Sequence, residues 1–115
     1  MAFEKLSHPD QNVILSCLCA IAHGPFINDD WELQTRLGVH RSTLYKMIDI
    51  WPEIDDSADD SDETLAINNA MNEVCHGIRF SDADWCTWFK VDRNTIQAVY
   101  KRWSQFRGER NTGIM

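Results

Sequence analysis

An internal repeat constrains this chain more than any other feature of it. Residues 35–51 read TRLGVHRSTLYKMIDIW and residues 87–103 read TWFKVDRNTIQAVYKRW. At an offset of 52, Thr35, Val39, Arg41, Thr43 and Trp51 recur as Thr87, Val91, Arg93, Thr95 and Trp103. Leu37/Phe89, Ser42/Asn94, Leu44/Ile96 and Met47/Val99 are close in type. Upstream, His23-Gly24 matches His76-Gly77, Phe26 matches Phe80, and Asp30-Trp31 matches Asp84-Trp85, the offset drifting between 52 and 54. Such a repeat is one supersecondary unit that buries its apolar face against its neighbour. Two copies fit in 115 residues, a length suited to one compact domain.

Each unit reads as three helices. Ser7, with Asp10 three residues on, has the form of a capping box. Val13, Ile14, Leu18, Ile21 and Ala22 follow at helical spacing and stop at Gly24-Pro25. A second helix is expected from about Asn28-Asp29-Asp30, whose carboxylates suit a helix N-terminus, through Leu33 and Leu37 to Gly38. A third starts at about His40 and carries Leu44, Met47, Ile48 and Trp51 as an i, i+3, i+4, i+7 stripe. The second copy has a helix from about Asp62 to Cys75. A capping box (Ser81, Asp84) with a hydrophobic staple (Phe80, Trp85) follows, then a last helix capped by Asp92 and carrying Ile96, Val99, Tyr100 and Trp103. No strand pattern is present. The expected fold is all-α, with about six helices in two tandem three-helix units forming one compact domain. The units fall at 1–54 and 64–107, with an acidic linker at 55–63 and a flexible tail at 108–115. Trp31, Trp51, Trp85 and Trp103 sit at matching places and read as core anchors.

The stretch Leu33-x-x-x-Leu37-Gly38-Val39-His40-Arg41-Ser42-Thr43-Leu44-Tyr45-Lys46-Met47-Ile48 resembles the helix-turn-helix of bacterial DNA-binding regulators, resolvases and transposases. A turn glycine permits the left-handed backbone at low cost. Val39 and Leu44 then fold the third helix onto the second, exposing its first turn for the major groove. The resemblance implies double-stranded DNA as partner and His40, Arg41, Ser42, Tyr45 and Lys46 as candidate contacts. In the second unit the matching positions are Asp92, Arg93, Asn94, Gln97 and Ala98, of which Arg93, Asn94 and Gln97 are the implied contacts, with Lys101, Arg102 and Arg107 along and just beyond that helix for phosphates. Arg41 and Arg93 fit either a DNA contact or a surface or intrachain salt bridge. Lys90 replaces the turn glycine of the first copy, which strains the turn if its left-handed conformation is kept. Gln34 stands where such motifs prefer a small residue, whereas Cys86 at the corresponding place is small.

Charge divides by segment. The whole chain carries −7, which argues against a generic nucleic-acid coat. Residues 1–55 are net −4, residues 56–64 net −5 and residues 65–115 net +2, while Lys90 to Arg110 is net +4. A DNA-facing footprint therefore exists only in the second half. The reading is a small DNA-binding regulator or mobile-element accessory factor. The alternative is a protein-interaction module whose acidic first half engages a protein partner or mimics DNA. Asp55 to Glu63 reads as a solvated linker; the glycine and spacing of a calcium loop are missing.

Nothing points to catalysis: no carboxylate pair in a plausible cleft, Gly-x-Ser-x-Gly or phosphate-cradling glycine loop is present. His23 and His76, each beside glycine, read as caps for helix-end carbonyls. Cys17, Cys19, Cys75 and Cys86 form no CxxC pair, so no metal or other cofactor is expected, and reduced thiols in the cytoplasm are. The start Met1-Ala2-Phe3-Glu4-Lys5 lacks a signal pattern, and no stretch is long and apolar enough for a membrane helix. Oligomeric state is left open, since two units in one chain can stand in for a dimer.

Overall fold

The structure is a computed structural model that describes residues 1–112, with side chains to Gly108. Helix α1 spans Ala2–Lys5, α2 His8–His23, α3 Asp30–Leu37 and α4 Arg41–Ile50. After the acidic segment, α5 spans Asp62–Asn72 and widens into a π turn at Glu73–Gly77. Helix α6 spans Asp82–Asp84 and widens into a second π turn at Trp85–Phe89, and α7 spans Arg93–Thr112. The fold is all-α, and the described residues contain no strand. Two boundaries differ from those expected. Helix α1 is an extra turn ahead of α2, and α7 runs past Arg107 to Thr112, so the segment expected as a tail begins as helix. Residues 113–115 lie outside the described residues.

The repeat is legible in the backbone. Asp29 caps α3 and Ser81 caps α6; His40 precedes α4 and Asp92 precedes α7; each pair is 52 apart. Ser81 and Asp84 form the reciprocal capping box expected, at 3.1 and 2.9 Å, with Phe80 and Trp85 stapled at 5.3 Å. Ser7 accepts the Asp10 N–H at 3.2 Å, while the Asp10 carboxylate takes Arg102 of α7 through two bonds of 2.7 and 2.8 Å.

Helix α2 is the centre of the molecule. Ile14, Cys17, Leu18 and Ile21 are fully buried against α4, α5, α7 and the Trp85–Phe89 turn. Ile67, Met71, Val74, Ile96, Val99 and Trp103 continue the same core from the second unit. Each such side chain contributes about 1.5–3 kcal/mol through burial. The repeat-related Phe26 and Phe80 meet edge to face at 4.7 Å, joining the units.

The acidic segment is not simply solvated. Asp56 is fully buried; its Oδ2 accepts the Phe3 N–H at 3.0 Å and the Trp103 indole N–H at 2.8 Å. Arg107 donates to the Asp56 carbonyl at 2.8 Å and to Asp59. The segment therefore straps α1 to the C-terminal half of α7.

The tryptophans also separate. Trp103 is buried, and Trp51 and Trp85 are half-buried; Trp51 packs on Phe3 at 5.0 Å and Trp85 on Phe89 at 4.8 Å. Trp31 is 75% exposed and anchors no core. Its match to Trp85 used the offset of 54, whereas the caps keep the offset at 52, where Trp85 corresponds to Leu33 and Trp31 to Ala83.

Candidate nucleic-acid interface

Both repeat-related turns between helices pass through the left-handed region, at Gly38 (φ 74°) and at Lys90 (φ 59°). The conformation is thus conserved between copies even where glycine is not. For an L-residue with a Cβ this region costs roughly 1–2 kcal/mol. Lys90→Gly should therefore raise stability by about 0.5–1 kcal/mol in urea denaturation, while removing one cation from the turn. In the first unit, the Leu37 carbonyl at the turn accepts from Asn69 Nδ2 at 2.8 Å, tying the turn to α5.

The repeated arginines do different work. Arg41 is turned inward, its side chain only 14% exposed. Its guanidinium donates to the Ile21 and Ala22 carbonyls at 3.2 and 2.8 Å, to the Ile27 carbonyl, and to Asp30 at 2.6 Å. Those bonds satisfy the open carbonyl end of α2 and the loop after it. Tyr45 adds its hydroxyl to the Ala22 carbonyl at 3.3 Å and stacks on His23 at 4.9 Å. The end of α2 is therefore capped by Arg41 and Tyr45, a role the sequence had suggested for His23. Of the candidates in the first unit, Arg41 falls on the intrachain side of its two readings, and His40, Ser42 and Lys46 stay exposed.

Whereas His40 makes no side-chain cap on α4, Asp92 at the matching place of the second unit caps the N-terminus of α7. Its Oδ1 accepts the Thr95 N–H and the Thr95 hydroxyl, both at 2.8 Å, and these bonds hold its carboxyl below the usual carboxylate range. The cap is in force at neutral pH and is lost as pH falls through that lowered pKa. Arg93, with no inward role like that of Arg41, lies over the Trp85 ring at 5.4 Å and is exposed. Arg93, Asn94 and Lys101 are exposed and Gln97 half-buried. At 3.6 residues per turn these four fall within roughly 100° of the α7 surface. Arg102 lies outside that sector and is engaged by Asp10, and Arg107 by the acidic strap. Both serve intrachain pairs, Arg102 with its side chain still 46% exposed.

Beside this face lies an open cleft of about 660 Å³, lined by Phe80, Trp85, Cys86, Lys90, Val91 and Arg93 among others. The sequence did not disclose it, because the π turn that shapes its wall leaves no pattern in apolar spacing. Cys86 is exposed, whereas burial raises the thiol pKa of Cys17, fully, and of Cys75. A disulfide-exchange reagent should therefore consume Cys86 first and Cys19 more slowly, with Cys17 and Cys75 reacting only on unfolding. Thiol release followed by mass spectrometry checks that order.

Among the described residues no group of three or more His, Cys, Asp or Glu is placed to hold a metal ion, and no helix is long and apolar enough to cross a membrane. Comparison with protein-family models, curated proteins and solved structures returns no match.

Proposed function

We propose that the chain binds duplex DNA through its second helix-turn-helix unit, as a regulator or mobile-element accessory factor, with the first unit serving mainly as its scaffold. The observation that carries this reading is the preserved left-handed turn at Lys90, which leaves Arg93, Asn94, Gln97 and Lys101 together on the first turns of α7. Arg93 suits guanine, and Asn94 and Gln97 suit adenine. Lys90 and Lys101 suit phosphates. The first unit exposes Lys46 but also Asp29, Asp30, Glu32 and Asp49, a poor match for phosphate.

Three cations at the interface give a modest electrostatic contribution. The logarithm of affinity should fall against log salt with a slope of roughly −2 to −3. Fluorescence anisotropy with labelled duplexes drawn from a mixed-sequence pool measures it. Arg93→Ala should reduce discrimination between sequences by about 1–3 kcal/mol. Lys101→Ala should weaken all duplexes alike and reduce the slope by roughly one. No binding at low salt to any duplex removes the reading.

A further inference from the structure

We infer that two copies of this chain associate head to tail, the Trp31 face of one docking into the Phe80–Trp85–Val91 cleft of the other. The pairing rests on three features and does not depend on DNA binding. Trp31, on the first turn of α3, is 75% exposed, the greatest exposure among the large apolar side chains described. An indole left in water forgoes the largest burial any side chain offers, and such residues anchor interfaces when they find a pocket. Its neighbours are acidic: the side chains of Asp30 and Glu32 remain 79% and 50% exposed beside their pairs with Arg41 and Arg36.

The cleft has the opposite character. Phe80, Trp85 and Val91 give it apolar walls, and Lys90 and Arg93 bring two cations to it. Two acids also line it, but Asp92 is turned to its Thr95 cap, leaving Asp82 as the opposing charge. Its volume of about 660 Å³ is in the range that receives a ligand-sized group. Trp31 of the same chain is in solvent and does not fill the cleft. Apolar anchor meets apolar walls, and acids meet cations, only when the two surfaces come from different copies. In the head-to-tail arrangement each copy gives its Trp31 to one neighbour and its cleft to another, so the contact is heterologous and each pair leaves one Trp31 and one cleft available for growth.

Analytical ultracentrifugation of the full chain, from micromolar to millimolar concentration, tests this. The mass average should rise above the monomer at low salt and fall back at high salt, where the charged part of the contact is screened. Trp31→Ala and Arg93→Glu should each weaken association at least roughly tenfold, both being exposed positions whose change leaves the helical circular dichroism intact. The discriminating step mixes the two variants. The cleft of Trp31→Ala accepts the Trp31 of Arg93→Glu, so the mixture should form a one-to-one dimer that grows no further. A wild-type chain that stays monomeric overturns the inference. So does a Trp31→Ala chain that associates like wild type, an Arg93→Glu chain that does so (the mark of a symmetric Trp31 contact), or a mixture that stays monomeric.

Discussion

Arg41→Ala should destabilise the fold by about 2–4 kcal/mol, whereas Arg93→Ala, at the same position of the second unit, should change it by less than about 0.5 kcal/mol. Arg41 closes three carbonyls, those of Ile21, Ala22 and Ile27, while pairing with Asp30. Removing it leaves those acceptors at a half-buried helix end without their donor, and an unmet acceptor costs more than the bond returned. Arg93 lies over the Trp85 ring, near enough to Cys75 to act on its thiol, and is otherwise exposed. The two variants, compared in urea, would show that one duplicated residue has become structural and the other has stayed available. Equal losses at both positions would mean that Arg93 also holds its unit together, and would leave it unsuited to reading DNA.

The second large effect is expected at Asp56. Asp56→Ala should cost about 3–5 kcal/mol, a large fraction of the roughly 5–15 kcal/mol by which such domains are stable. Its carboxylate holds the Phe3 N–H of α1 and the Trp103 indole N–H of α7, both in the interior. Alanine leaves both donors buried without that acceptor. Asp56→Asn keeps an oxygen in place and should recover part of the loss. Thermal denaturation separates the two, and an alanine variant as stable as wild type would show that the strap is not holding the termini.

The all-α architecture, the six principal helices and the register of the repeat were readable from apolar spacing, caps and turn residues. Those features are local, and each is encoded within a few residues of where it acts. What escaped was set by contacts across the chain. Arg41 and Arg93 are identical in sequence context, Val-x-Arg-x-Thr, yet Arg41 meets carbonyls of α2 supplied some 20 residues away. The acidic run looked solvated by composition, but one of its members, Asp56, meets an indole 47 residues on. Arg102 looked like a phosphate contact until Asp10, 92 residues earlier, was brought beside it. The mismatch at Trp31 arose because identical residues stand two places out of register, while the caps on either side, Asp29/Ser81 and His40/Asp92, keep an offset of 52.

Charge follows the same logic. The net −7 of the chain says little about the surface presented by any one helix. Four arginines, Arg36, Arg41, Arg102 and Arg107, are matched by acids within the fold. Lys90 at the second turn and Arg93 and Lys101 on α7 remain exposed, as do Lys5, Lys46 and Arg79 elsewhere.

The proposed function requires that the two copies of one motif have diverged, the second facing DNA and the first supporting it. Amide NMR shifts, recorded as a mixed-sequence duplex is added at low salt, test this most directly. Shifts are expected to concentrate on residues 90–101, with 40–46 nearly unmoved. Shifts centred on residues 40–46, or none anywhere, would contradict it.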